Sequence, residues 1–315
     1  MEESCLGYTV PNSTLTLMKR IAFLSLLFCL AIIAETTMAQ SLVAPGAEVV
    51  KLADGFGFTE GPTANSKGDV YFVDDPKCKI HCWSVSEKKC STFIDDSAHA
   101  NGMYFDKKDI LHVCEGGTGS IVSYTPDGKR SVVANKFGNR NFNKPNDLWI
   151  DPKGGIYFTD PQYGNNFYVV QDGEHVYYIL PDRSKVIRVI EVSGQDGDFK
   201  KPNGVLGTPD GKLLYVADIG GKMVYRYNIQ PDGTLTGKHP FAPVAVDGMT
   251  MDEKGNVYLT EAEVIVYSPA GHEIERIKTP QRPANVCFGG KDFKTLFITA
   301  RTGFYSIDMN VKGAK

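Results

Sequence analysis

Two stretches of the chain run through the same order of residue types: "KPNDLWIDPKGGIYFTD" from Lys144 and "KPNGVLGTPDGKLLYVAD" from Lys201. Each holds an Asn, a small or acidic residue, an apolar pair, a Pro-Lys-Gly or Pro-Asp-Gly turn, an apolar run and a closing Asp. A chain that repeats itself builds a repeated unit, and the repeat length decides the architecture. The apolar runs recur as "DVYFVD" (69–74), "ILHVCE" (110–115), "GIYFTD" (155–160), "LLYVAD" (213–218), "NVYLTE" (256–261) and "TLFITA" (295–300). They are short, β-branched and aromatic, and Gly- or Asp-containing turns precede most of them, so they read as buried strands after hairpins.

Upstream of each run stands one polar residue: Glu60, Asn101, Asn146, Asn203, Asp247 and Asn285. From that residue to the acid that ends the run is 14 positions in four units and 15 for Asn203–Asp218; the sixth unit ends in Thr299-Ala300 without an acid. The intervals between the polar residues are 41, 45, 57, 44 and 38, each with room for four short strands and tight turns. Units of this length made of strand and turn alone predict an all-β, six-bladed β-propeller. Only 30 residues follow Asn285, too few for a full blade. The segment "AEVVKLADGFGF" (47–58) is therefore expected to supply the missing strand and close the ring, which removes its open edges. The long third interval places an insertion, "YGNNFYVVQDGEH" (163–175), between strands of blade three. Its Tyr163, Asn165, Asn166, Phe167 and Tyr168 are candidates for a lid over the end of the ring.

Residues 1–39 stand apart. "MKRIAFLSLLFCLAIIAETTMAQ" from Met18 has a Lys-Arg start, a short apolar run and a small-residue cleavage site at Thr37-Met38-Ala39, which predicts a secretory signal. Residues 1–17 fit no part of such a signal, so Met18 is the alternative start. The apolar run Ile21–Ala34 is short against the ~20 residues of a membrane span. The expectation is an exported protein, periplasmic or secreted and without a membrane anchor, whose residues 40–315 form one propeller domain. The full chain is 42% hydrophobic and 23% charged, with net charge −3, a balance that does not favour nucleic acid as a partner. Oligomeric state is not legible. The mature part keeps Cys78, Cys82, Cys90, Cys114 and Cys287; an odd number leaves at least one thiol unpaired, and the first three are close enough for one local disulfide. A zinc site from these with His81 is disfavoured, because successive strand residues point to opposite faces.

In a propeller the innermost strands surround the axis, so the six polar residues form a ring: Glu, Asn, Asn, Asn, Asp, Asn. Two carboxylates and several amide oxygens make an oxygen-only cage of the kind hard divalent cations take. No nucleophile elbow, zinc-protease helix, P-loop or dinucleotide fingerprint is present. "GGTGS" (116–120) reads as a hairpin turn, since no helix follows it to receive a phosphate.

The blade starts "FTEGP" (58–62), "KPNDL" (144–148), "KPNGV" (201–205) and "VDGM" (246–249) resemble those of the gluconolactonase, regucalcin (senescence marker protein) and luciferin-regenerating-enzyme family. "YFTDPQYG" (157–164) and "RPANVCFGG" (282–290) are similar, more narrowly, to bacterial gluconolactonases. The resemblance covers residues 47 to 308, and diisopropyl fluorophosphatase shares the plan. It implies a metal held by Glu60, Asn146, Asn203 and Asp247, with Ca²⁺ first and Mg²⁺, Mn²⁺ or Zn²⁺ as alternatives. Asn101, Asp147, Lys144 and Tyr163 are then expected toward the substrate. It implies hydrolysis of aldonolactones such as gluconolactone, with Asp247 as general base, or as nucleophile on the pattern of the fluorophosphatase. Two departures touch the sugar contacts: Gly116 stands where bacterial relatives carry His, and Lys144 where regucalcin-like proteins carry Arg. A phosphotriesterase or non-sugar lactonase on the same metal, and a propeller that binds without turnover, are the alternatives; a strictosidine-synthase-like propeller is a more distant one.

Overall fold

A computed structural model describes residues 41–163, 170–192 and 199–314. The segment 1–39, expected to be a signal, and the lid candidates Asn165, Asn166, Phe167 and Tyr168 lie outside the described residues. Six four-stranded antiparallel sheets follow one another along the chain, each beginning with its innermost strand. Those innermost strands are Thr59–Ala64, Ala100–Phe105, Leu148–Ile150, Pro202–Gly207, Met249–Met251 and Asn285–Gly289. Each touches the innermost strand of the next sheet, and the sixth touches the first, so they close a ring around an axis. This is the expected six-bladed β-propeller. The KPN stretches open blades three and four.

The closing strand is Val50–Asp54, which pairs antiparallel with Gly303–Asp308 as the outermost strand of blade six. Between every pair of neighbouring blades lies an apolar layer. Val73 and Ile80 of blade one meet Met103, Leu111 and Val113 of blade two, and Val70, Phe72 and Trp83 on the other face of blade one meet Phe297 and Phe304 of blade six. The rings of Phe72 and Phe304 stack at 4.3 Å across the closure. A strand packed on both faces must be apolar at every position, which is why the runs read as continuous rather than alternating.

The same two faces settle the cysteines. Cys82 pairs with Ser91 and Cys90 with Trp83, so neighbours in the register point the two thiols to opposite faces. Cys90 packs in the Trp83 layer, and all five cysteines are free. The expected local disulfide is absent, and for Cys82 and Cys90 the register is the reason.

At one end of the molecule, the turn after each of four innermost strands is held by its first polar residue. Asn65, Asp106, Asp151 and Asp252 each accept two backbone N–H groups with one side-chain oxygen. The Pro-Lys-Gly turn after Asp151 is one of these Asx turns, in which an Asn or Asp side chain mimics a backbone turn. The candidate residues gather at the opposite ends of the same strands.

Candidate metal centre and active site

The acids that close the second strands hold the approach to the axis. Asp160 accepts N–H groups from Asn143 and Lys144 at 2.9 and 3.0 Å, and Asp218 those of Lys200 and Lys201 at 3.0 and 2.9 Å. Asp74 does the same for Gly57 and Phe58. The spacing of 14–15 residues therefore measures one hairpin, from the ring residue down the first strand and back to the carboxylate that grips the preceding backbone. Glu115 departs from the pattern and pairs with Arg130 and Tyr124.

The ring residues are set by two local devices. In blades one, two and four the ladder slips at Glu60-Gly61, Asn101-Gly102 and Asn203-Gly204, β-bulges that re-aim the side chain. In blades three, five and six a buried Thr latches the strand start instead. Thr159 Oγ1 accepts the Asp147 N–H, Thr260 Oγ1 that of Gly248, and Thr299 Oγ1 that of Asn285. The glycines receive the neighbouring blade. A Cβ on Gly61 would lie 2.0 Å from the Asn101 carbonyl oxygen, one on Gly204 2.6 Å from that of Asp247, and one on Gly248 2.0 Å from the Asn285 side chain. Gly61 also has φ of +52°. Gly61→Ala should destabilise the protein by at least ~2 kcal/mol, from overpacking and the left-handed backbone together. Thermal unfolding checks this, and an unchanged Tm would show that the Asn101 carbonyl moves aside.

These contacts bring Glu60, Asn101, Asn146, Asn203, Asp247 and Asn285 into one closed circle. Asn203 Nδ2 donates to Asp247 Oδ1 at 2.8 Å and to the Tyr163 hydroxyl at 2.9 Å. The Glu60 carboxylate accepts the Gly61 N–H at 2.6 Å. Glu60 is pushed well above the usual carboxylate range by burial first and by the Asp247 charge second, with Asp147 adding to it. Burial also raises Asp247, but the Asn203 hydrogen bond and the positive charges of Arg282 and Arg301 pull it back. Among the described residues no Lys or Arg forms an ion pair with Glu60, Asp147 or Asp247. Hard oxygen donors with uncompensated buried negative charge suit a divalent cation such as Ca²⁺, Mg²⁺ or Mn²⁺. Two of the four expected donors are amides, and among the described residues no group of three or more His, Cys, Asp or Glu is placed to hold a metal ion.

The residues expected at the substrate divide. Tyr163 stands against Asn203, on the insertion side of the ring. Lys144 lies across Gly116: a Cβ there would meet its Cγ at 2.8 Å and its Cε at 2.9 Å. The departure from the bacterial pattern and the one from the regucalcin-like pattern thus meet in one feature, a lysine stem laid over a glycine. Asp147 turns elsewhere. Its carboxylate accepts the N–H groups of Leu148 and Val205, burial raises it to about 7, and it lines a cavity of about 420 Å³ that runs along the axis toward the Asx turns. Sequence reasoning did not find Arg282 and Arg301, whose charges reach Asp247 from loops of blade six. Nor did it find the threonine latches, although "FTD", "LTE" and "ITA" mark them in three of the six runs.

An all-β ring with an oxygen-lined axial centre defines the class. Residues 58–302 match the family described as SMP-30/Gluconolactonase/LRE-like region, and the chain belongs to it. It is similar to the gluconolactonase of Zymomonas mobilis, 28% identical over 284 residues that cover 79% of this chain and 78% of that one. It is also similar to lactonase drp35 of Staphylococcus epidermidis, 25% identical with 74% and 73% covered. The solved structure of a gluconolactonase from Xanthomonas campestris superposes with a TM-score of 0.79 at 25% identity, covering 87% of this chain and 93% of that one.

Proposed function

We propose that the protein is a metal-dependent lactonase that opens aldonolactones such as gluconolactone to the free acid. The observation that carries this reading is the pair of buried carboxylates, Glu60 and Asp247, beside the Asn203 amide on the axis and without an ion-paired cation among the described residues. Family membership and the lactonases among its relatives support it. Glu60, Asn146, Asn203 and Asp247 would hold one divalent cation, Ca²⁺ first. The cation would polarise the lactone carbonyl and offset the negative charge that develops on its oxygen.

The protein's own groups do the rest. Asp247 takes a proton from water as the water oxygen bonds to the carbonyl carbon. The ring C–O bond then breaks, and the leaving oxygen recovers the proton from Asp247, so that water is added across the ester. Asn203 holds Asp247 in place through the 2.8 Å hydrogen bond. Lys144, Asn101 and Tyr163 would meet the sugar hydroxyls. The segment from Met18 to Ala39 supports export to the periplasm or beyond.

A panel of aldonolactones and aryl phosphotriesters tests the substrate class. Aldonolactones are expected at kcat/KM of ~10⁴ M⁻¹s⁻¹ or more, the lower end for enzymes on their own substrates. Faster turnover of the phosphotriesters would transfer the site to that chemistry, and no turnover of either would favour a binding propeller.

A further inference from the structure

The lysine of the second KPN stretch has a role that the first does not share. Lys201 is fixed at both ends. Its backbone N–H donates to Asp218, and its ammonium donates to the Gln162 carbonyl at 2.8 Å, 3.3 Å from Glu174 Oε1. The same Glu174 oxygen accepts the Gln162 N–H at 2.8 Å. The ammonium also lies 4.5 Å above the centre of the Tyr163 ring, within range of a cation–π attraction. Lys201 thus clasps the Gln162-Tyr163 segment of blade three onto the first strand of blade four, two residues from Asn203.

The far end of this clasp is the Tyr163 hydroxyl. An Asn side chain has two N–H donors and one oxygen, and its two flipped orientations differ little in shape. Both donors of Asn203 are taken, by Asp247 Oδ1 and by the Tyr163 hydroxyl. With the nitrogen so committed, the amide oxygen accepts no hydrogen bond among the described residues and is the atom available to a cation. A flipped amide would present N–H groups to a cation and oppose its binding.

We propose that Lys201 is a positioning residue, acting through Tyr163 to hold the Asn203 amide in its cation-binding orientation. This rests on the metal reading given above. The segment that frames the cleft and the centre on the axis are then one coupled unit, so cation affinity depends on side chains that never touch the ion.

The test is titration of Ca²⁺ alone, without lactone, into metal-free protein by calorimetry. Lys201→Met keeps the stem and removes the ammonium; Tyr163→Phe keeps the ring and removes the acceptor. Each is expected to raise the Ca²⁺ Kd about tenfold, in the range seen when groups that orient metal ligands are lost. The double variant should be no worse than about the weaker single one, because both break one linkage. Lys201→Arg should restore most of the affinity, a rescue that loss of general stability would not show. Unchanged Kd in Tyr163→Phe, or effects that add, would overturn the proposal, also in the event that Lys201→Met fails to fold. If the parent protein binds no divalent cation, the metal reading itself falls; parent binding with unaltered variants removes only this inference.

Discussion

Asp247→Asn is expected to lose at least ~10²-fold in kcat on aldonolactones at saturating cation, the lower range for removal of a general base. Asn keeps an oxygen of the same reach but has neither charge nor basicity. The change also meets the Asn203 amide, whose Nδ2 now donates to Asp247 Oδ1. An Asn at 247 retains one acceptor oxygen for that bond, so the ring should still assemble. Cation should bind, more weakly, because Glu60 and the amide oxygens remain. Turnover at the parental rate once the site is saturated would reduce Asp247 to a ligand. The base would then be sought at Asp147, the next carboxylate along, even though its oxygens are engaged by Leu148 and Val205.

Glu60→Gln is expected to act on binding instead. Removing one of two charged donors should weaken cation affinity by at least ~10²-fold, since ligand charge tunes such sites over several decades. Much of the activity should return at high cation concentration. The pH dependence separates the two carboxylates further. The Glu60 carboxyl is raised well above its usual range by burial and by Asp247, so a cation must displace its proton. Affinity in the parent should therefore fall as the pH falls through that raised value, and Glu60→Gln should flatten the dependence. Equal affinity in parent and variant, measured by titration across pH, would remove Glu60 from the metal.

The blades were legible because their inner strands are packed on both faces. Between turn and closing acid, "LLYVAD" is apolar throughout apart from the Tyr hydroxyl and "GIYFTD" adds only the buried Thr159, so a polar residue at the strand start stands out. That is why Glu60, Asn101, Asn146, Asn203, Asp247 and Asn285 emerged from spacing as one ring, while the choice of Glu60, Asn146, Asn203 and Asp247 as metal ligands came from the family resemblance. Features that depend on which face or which neighbour a side chain meets were hidden. Cys82 and Cys90 are eight residues apart, yet the cross-strand register sends them into different layers. Asp147 follows Asn146 directly, but its carboxylate goes to the amides of Leu148 and Val205 and the axial cavity. Lys144 and Lys201 open identical tripeptides and separate completely: one lies over Gly116, the other clasps Tyr163. Local symmetry set their backbones through Asp160 and Asp218, while the insertion of blade three, which occurs once, decided where the side chains go.

The central claim is that a divalent cation on the propeller axis performs lactone hydrolysis together with Asp247. It is tested most directly by following gluconolactone opening with protein stripped by chelator and dialysed, then reloaded stepwise with Ca²⁺, Mg²⁺ or Mn²⁺. The account predicts that stripped protein falls to the uncatalysed rate and that activity returns in proportion to one cation bound per chain. Full activity in protein shown by elemental analysis to be free of metal would contradict it.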